Sequence, residues 1–258
     1  MSYVTANQPN GTPTWIDLGI PDLDRAMEFY RALFGWEFDM GPAETGHYTM
    51  CLLQGKAVAA IMPNPDSAAT DFWWNVYLAT DDCDGTAKRI VDSGGTLIQA
   101  PMDVMDQGRM AIAKDPVGAQ FGLWQGRAFI GAQVVNEPNS LLRNDLVTAT
   151  PEPARAFYAA VFDFTLESNP DLPGVDFTFL RRPDGYEIGG IMGDPAAATS
   201  RWGTLFEVTD ADAVAARAIA AGGSVDGPSD FVYGRIAEIT DPFGTQFSIG
   251  ARPPAQQG

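Results

Sequence analysis

The sequence predicts an α+β fold made of four βαβββ modules, arranged as two tandem domains. Two observations predict it. Segments of the chain recur at a nearly constant interval, and each repeat alternates strand-like with helix-like patterns. The chain has 258 residues, a length that suits one large domain or two modest ones. Hydrophobic residues make up 45% and charged residues 19%, which favours packed cores over long disordered segments.

Three pairs of segments carry the repeat. They are Asp22–Phe38 with Glu152–Leu166, Thr80–Gly95 with Thr209–Gly223, and Gly108–Gly118 with Gly234–Gly244. Phe157 lies 128 residues after Phe29, Asp210 lies 128 after Asp82, and Gly234 lies 126 after Gly108. Because three separate segments agree within two residues, the halves are predicted to be duplicated domains spanning 12–130 and 140–252.

Each module is predicted to run strand, helix, then three strands, forming curved mixed sheets with the helices outside. The acids and prolines that precede apolar residues at helical spacing predict the helix starts. The opening strands are Trp15–Ile20 and Asp145–Thr150, the helices are Leu23–Phe34, Gly85–Asp92 and Pro153–Phe162, and the connectors are Asn64–Asp71, Val135–Asn144 and Pro195–Ser200.

The charge balance restricts the partners. Asp and Glu number 33 against 16 Lys and Arg, a formal net charge of −17, so nucleic acids and anionic membranes are poor partners. No apolar run of 18 residues predicts a membrane span, and the first residues resemble no secretory signal. Cys51 and Cys83 make no disulfide framework. We expect a cytoplasmic monomer or homodimer whose partner is a small organic ligand.

The repeated motifs resemble those of the vicinal oxygen chelate superfamily, which includes glyoxalase I, extradiol dioxygenases and bleomycin-resistance proteins. The chain is most similar to its tandem glyoxalase-like members of hydroxylase type, over about Thr14 to Gly250. Because one such fold hosts many chemistries, the resemblance implies the fold more strongly than the reaction. The residues that carry it are Asp22, Ala26, Phe29, Tyr30, Phe34-Gly35-Trp36 and Asp115-Pro116-Val117-Gly118, with Phe157, Tyr158, Phe162 and Asp241-Pro242-Phe243-Gly244 in the second half.

The resemblance implies a divalent metal in the concave face of a curved sheet, a feature that we call a cup. Its ligand positions fall on Trp15, Asn75, Arg143, Gly203, Gly122 and Ser248. None of these is a His, Glu or Gln, and a Trp, Gly or Arg does not hold a hard divalent ion. His47 is the one histidine, whereas an extradiol iron site needs two. We therefore predict no metal and no cofactor.

Strand alternation separates the face under the helices from the face that lines each cup. Ile16, Leu18 and Ile20 should pack under the helix, which leaves Trp15 and Asp17 in the first cup. The predicted ligand-binding residues are Trp15, Asp17, Asn75, Tyr77, Gln120, Arg143, Asp145 and Gln246, and the candidate catalytic acids are Asp17 and Glu207. Aromatic walls with a few polar groups are typical of small-molecule sites.

Several alternatives remain open from the sequence. Trp15 could be plain packing, Asp17 could serve a structural ion pair, and His47 reads as a surface residue. The first cup is the favoured site, because Arg143 is expected to pair with Asp145 or Glu207 and fill the second. A half could close its own cup, or modules one and four could close one and modules two and three the other.

These patterns favour a metal-independent protein that binds an aromatic molecule of the secondary-metabolite kind. The alternative is a metal-free isomerase, cyclase or lyase of secondary metabolism. In that case Asp17 or Glu207 would be the general base, with a pKa raised by its aromatic surroundings. A metal-dependent glyoxalase or dioxygenase is the least favoured reading, because the ligand positions lack suitable side chains.

Overall fold

The structure is a computed structural model that describes residues 3–253, and it confirms the four βαβββ modules. The first domain contains β1 (Pro13–Ile20), α1 (Leu23–Phe34), β2 (Glu37–Met40), β3 (Thr49–Leu53), β4 (Lys56–Pro63), β5 (Asn75–Ala79), α2 (Cys83–Asp92), β6 (Thr96–Val104), β7 (Gly108–Lys114) and β8 (Gln120–Gly126). The second contains β9 (Leu141–Thr148), α3 (Pro151–Phe162), β10 (Thr165–Ser168), β11 (Asp176–Arg181), β12 (Glu187–Gly193), β13 (Arg201–Glu207), α4 (Ala211–Ala220), β14 (Ser224–Phe231), β15 (Gly234–Thr240) and β16 (Gln246–Ala251).

Each half closes its own cup. The strand order is β2-β3-β4-β1-β5-β8-β7-β6 in the first sheet and β10-β11-β12-β9-β13-β16-β15-β14 in the second. The two modules of a half join through antiparallel pairs in matching register, with Trp15 opposite Tyr77 and Arg143 opposite Leu205. This settles the module pairing that the sequence left open.

Some predicted boundaries are wrong. No bounds were predicted for the edge strands β2 and β10, because they are only four residues long and mostly exposed. The strand predicted at Asp145–Thr150 begins earlier, at Leu141, so the predicted connector Val135–Asn144 contains its start. It ends at Thr148, because Thr150 and Pro151 open the next helix.

The helix ends follow the local chemistry. The Asp22 carboxylate accepts a hydrogen bond from the Arg25 backbone N–H at 3.0 Å and caps α1, as Asp210 caps α4 through Ala213. Gly35 ends α1 in the left-handed region, at φ 68°. Ile16, Leu18 and Ile20 are fully buried beneath the helices, as the strand alternation predicts.

The halves are joined by a reciprocal pair of buried hydrogen bonds. Tyr30 Oη donates to Asp241 Oδ2 at 3.0 Å, and Tyr158 Oη donates to Asp115 Oδ2 at 3.0 Å. Asp115 also accepts from the backbone N–H groups of its own turn, which include that of Ala119 at 2.8 Å. The two repeated motifs therefore hold the domains together. In residues 3–253 no helix is long and apolar enough to cross a membrane.

Candidate functional site: two cups of one fold

In the first cup the predicted residues form one hydrogen-bonded network around Asp17. Its Oδ1 accepts from Asn75 Nδ2 at 3.0 Å, and its Oδ2 accepts from Tyr77 Oη at 2.9 Å and Tyr48 Oη at 3.1 Å. Gln120 Nε2 donates to Asn75 Oδ1 at 3.1 Å. Asp17 is only 2% exposed. Burial raises the pKa of Asp17 above its ordinary 3.8, while these hydrogen bonds oppose the rise.

Aromatic side chains fill the remainder of the first cup. Trp15, 3% exposed, meets the Phe129 ring edge-on at 4.8 Å and donates from Nε1 to Tyr48 Oη at 2.7 Å. Trp124 donates from Nε1 to the Phe129 carbonyl at 2.9 Å. The Tyr77 ring lies so close over Gly122 that a Cβ there would come within 2.2 Å of it. This cup is therefore a second packed core.

In the second cup Arg143 and Asp145 replace Trp15 and Asp17. Arg143 Nε donates to both oxygens of Asp145, at 2.8 and 2.7 Å, and Nη1 donates to Glu187. Burial raises the pKa of Asp145, and the Arg143 charge opposes it. Burial lowers the pKa of Arg143, but its two carboxylate partners outweigh burial and raise it overall.

A cavity of about 990 Å³ lies over this cluster. Its apolar wall includes Phe177 and Phe179, whose rings meet edge-on at 5.2 Å and lie 5.5 Å from the Arg143 guanidinium carbon. Leu205, on β13, also lines the cavity. The cavity therefore combines aromatic and aliphatic walls with a charged group, which is the usual composition of a small-molecule site.

The mouth of this cavity is bridged by the hairpin that joins β14 and β15. At its tip Tyr233 Oη accepts from Asn169 Nδ2 at 3.0 Å and donates to Asp171 Oδ2 at 3.2 Å. Phe231 and Val232 of the same tip are more than half exposed. The closure rests on a few hydrogen bonds instead of a packed core.

Three further residues considered in the sequence analysis lie outside the cluster of Arg143, Asp145 and Glu187. Glu207, at the end of β13, is paired with Arg252 through Oε1 at 2.9 Å and Oε2 at 2.7 Å. Gln246 is exposed at the start of β16, outside the cavity lining. His47 is exposed in a turn, at φ 55°, as expected of a surface residue.

Two expectations about Arg143 need correction. It pairs with Asp145, as one of the two expected alternatives. Its second partner is Glu187 and not Glu207, because β12 lies beside β9, whereas Glu207 at the strand end meets Arg252. It also does not fill the cup, because its two carboxylates hold the guanidinium against the wall. The cavity consequently lies in the second cup, where the sequence argument expected a plug.

Sequence reasoning missed Phe177, Phe179 and Glu187. The signal was present in the alternation of β11, where Phe177, Phe179 and Arg181 line the cavity while Leu180 between them is buried in the core. Applying strand parity to this third strand of the module, as to the first, would have found the aromatic wall. Tyr48 in the first cup was missed for the same reason.

The side chains of neither cup are suited to ligate the divalent metal that the fold family implies. In the first cup Asp17 is the sole carboxylate of the network, and neutral donors engage both of its oxygens. In the second cup a guanidinium stands between Asp145 and Glu187, where a cation would be held. Within residues 3–253 no cluster of three His, Cys, Asp or Glu side chains is placed to bind a metal.

Comparison with known proteins identifies relatives along nearly the whole chain. The chain is 42% identical over 254 residues to a Mycobacterium bovis protein named "Putative glyoxylase CFP32", covering 96% of this chain and 97% of that one. It is 37% identical over 255 residues to the "Anthracycline biosynthesis protein DnrV" of Streptomyces peucetius, covering 93% and 92%.

Solved structures share the fold at low sequence identity. The Mn(II)-bound glyoxalase of Novosphingobium aromaticivorans superposes with a TM-score of 0.65 at 16% identity, covering 94% of this chain and 83% of that one. The 2,3-dioxygenase LapB of a Pseudomonas species gives 0.63 at 14%, covering 97% of both. The model of the "Glyoxalase/Bleomycin resistance protein/Dioxygenase superfamily" matches residues 12–123 and 140–249, and the chain belongs to that superfamily.

Proposed function

We propose that the protein binds a flat aromatic small molecule in its second cup, without a metal. The observation that carries this proposal is the cavity of about 990 Å³ over Phe177 and Phe179, in a protein whose first cup is filled by its own side chains. Two aromatic rings on one wall suit a ligand that buries a planar apolar surface.

The relatives narrow the class of ligand. One of them, DnrV, is named as an anthracycline biosynthesis protein, and we carry that chemistry to this chain as part of the proposal. The ligand is then a polycyclic aromatic molecule of the anthracycline-aglycone kind. The cavity of about 990 Å³ lies at the upper end of the ~300–1,000 Å³ that is usual for small-molecule pockets, so it has room for a polycyclic ligand.

Binding is favoured over metal-free catalysis because the carboxylates near either cup are already engaged. Asp17 is buried beneath two tyrosines, Glu207 is paired with Arg252, and Asp145 accepts from Arg143 through both oxygens. A general base must reach the proton that it removes. Turnover of the bound molecule would support the alternative of an isomerase, cyclase or lyase.

A titration with an anthracycline aglycone tests the proposal. We expect saturable binding that EDTA leaves unchanged, and an aglycone that mass spectrometry recovers unaltered after incubation. Phe179→Ala should weaken binding about tenfold, on the order of 1.4 kcal/mol for a lost aromatic wall.

The matched control for this variant is Met50→Ala. Met50 faces the first cup from the strand equivalent to that of Phe179, since Ala60 and Gly190 are their respective partners on β4 and β12. It should leave the affinity unchanged. Equal losses in both variants, or no binding by the wild-type protein, would contradict the proposal.

A further inference from the structure

One donor of Arg143 has no partner in the part of the chain that the structure describes. Its Nε is bound to Asp145 and its Nη1 to Glu187, but Nη2 is buried without a hydrogen bond. Buried guanidinium donors are normally satisfied, because leaving one unpaired costs more than the bond itself contributes. Arg143 lines the cavity, while its Nη2 is itself covered by neighbouring atoms.

The surroundings of Arg143 restrict what can accept from this donor. The carboxylates of Asp145 and Glu187 already flank the guanidinium, and Glu187 Oε2 also lies 3.5 Å from Arg181 Nη2. A third anion would meet repulsion from both carboxylates, since like charges close together disfavour ionisation. The acceptor that fits is a neutral oxygen.

The adjacent rings restrict where that oxygen is carried. The guanidinium carbon lies 5.5 Å from the ring centres of both Phe177 and Phe179. A ligand that packs against either ring therefore lies beside the Arg143 guanidinium. Because Nη2 is covered by its neighbours, seating the oxygen requires a small shift of the side chains around it.

We propose that the second cup selects uncharged planar aromatic molecules that carry a ring carbonyl, and that Arg143 Nη2 donates a hydrogen bond to that carbonyl oxygen. This inference rests on the proposed function and specifies its ligand class. Arg143 is then the residue that orients the ligand, while Asp145 and Glu187 hold the guanidinium in place. The planar fork of arginine suits this role, since it can bind two carboxylates and still offer a further donor.

Three matched probes test the inference in the full chain. Fluorenone carries a ring carbonyl, fluorene replaces that carbonyl by a methylene group, and a fluorenone carboxylate adds a negative charge. Calorimetric titration should show fluorenone binding about tenfold more tightly than fluorene, as expected for one added hydrogen bond to a charged donor. The carboxylate should bind about tenfold or more weakly than fluorenone.

Variants assign the selectivity to Arg143. Arg143→Met removes the donor. Arg143→Lys removes the planar fork but keeps a positive charge between Asp145 and Glu187, so it is the variant to use if Arg143→Met does not fold. In either variant the preference for fluorenone over fluorene should fall to about twofold or less. Arg235→Lys, which alters an arginine of the same domain that lies outside the cavity lining and donates to Asp212, is the control and should keep the preference.

The outcomes separate this inference from the proposed function. If fluorene binds as tightly as fluorenone, or if the preference survives in both Arg143 variants, the carbonyl inference is overturned while binding in the cup stands. Tighter binding of the carboxylate overturns the requirement for a neutral ligand. If none of the probes binds while an anthracycline aglycone does, the inference is overturned and the proposed function stands. If the aglycone does not bind either, both are overturned.

Discussion

The first and second cups share one backbone and differ in what their side chains do with the enclosed space. The registers of the central strands match, so residues can be compared position by position. Three large aromatic residues on the central strands of the first cup become smaller or charged in the second. The replacements are Trp15 by Arg143, Tyr77 by Leu205, and Trp124 by Gly250.

One carboxylate is retained in both cups with different partners. Asp17 accepts hydrogen bonds from the neutral hydroxyl groups of Tyr48 and Tyr77, whereas Asp145 is paired with the positively charged guanidinium of Arg143. Burial raises the pKa of both aspartates. The comparison teaches that a duplicated domain can convert one concave face into a structural core and keep the other as a cavity, without altering the sheet.

The largest expected effect is on the stability of the first cup. Trp15→Ala should lower the free energy of unfolding by about 3–5 kcal/mol, because a buried indole and its bond to Tyr48 are lost. Urea unfolding measures this loss, and fluorenone affinity at the second cup should stay unchanged while the protein is folded. Trp73→Ala is the control, since that ring is half-buried over Arg201. A loss below about 1 kcal/mol would show that the first cup is not a core.

The next largest expected effect is on ligand affinity, when Gly250 of the second cup is replaced by tryptophan, the residue at the equivalent position of the first cup. Gly250→Trp should abolish fluorenone binding, with a loss of at least about 100-fold, or roughly 2.7 kcal/mol, because the indole occupies the cavity. A Cβ at Gly250 meets Leu205 Cδ1 at 3.3 Å, so only a small adjustment is required. The melting temperature should change little.

Gly203→Ala is the control for that variant, since its Cβ meets only the Asp145 carbonyl oxygen, at 3.5 Å. It should change the affinity by less than about threefold, or about 0.7 kcal/mol. Retained binding in Gly250→Trp would place the ligand outside the second cup.

A smaller effect concerns the pH dependence of Asp17. Burial raises its pKa above 3.8 in the folded state, so the folded protein holds this proton more tightly than the unfolded chain does. The contribution of Asp17 to the free energy of unfolding is therefore fully present below pH 3.8 and is lost as the pH rises through the raised pKa. Asn does not titrate, so the stability of wild type relative to Asp17→Asn should fall with rising pH.

Denaturant unfolding across a pH series above the sequence isoelectric point of 4.2 measures that difference. Asp39→Asn, at an exposed position on β2, reports the general effect of removing one negative charge. Ligand affinity should change by less than about twofold in Asp17→Asn, because the carboxylate is buried in the other cup. If the stability difference between wild type and Asp17→Asn stayed constant across the pH series, Asp17 would not have a raised pKa. If Asp17→Asn lost ligand binding, the ligand site would not be confined to the second cup.

The smallest expected effect is kinetic. Tyr233→Phe removes the hydroxyl that bridges the mouth of the second cup to Asn169 and Asp171, and should speed ligand dissociation about two- to tenfold. Stopped-flow displacement of fluorenone measures the rate. Tyr186→Phe is the control, because its exposed ring lies over Arg182 beside the same cavity. An unchanged rate would show that the bridge does not limit release.

Much of the fold could be predicted because its signals are local or periodic. The offset of 128 residues, the capping Asp22 and the alternation of Ile16, Leu18 and Ile20 depend on the chain alone. The same alternation placed Trp15 and Asp17 in the first cup and Arg143 and Asp145 in the second. It could not show whether either cup was full, because that depends on strands that come together from different modules.

The sequence by itself therefore determined the modules, their duplication and the parity of the strands, since backbone geometry couples these to residue spacing. The tertiary structure alone decided that Tyr30 reaches Asp241 across the domains, that Arg143 is held by Glu187, and that the open cup is the second. The physical reason is that whether a cup is filled depends on the volumes and charges of all the side chains that enter it, and these come from segments far apart in the chain. No single segment contains all of them.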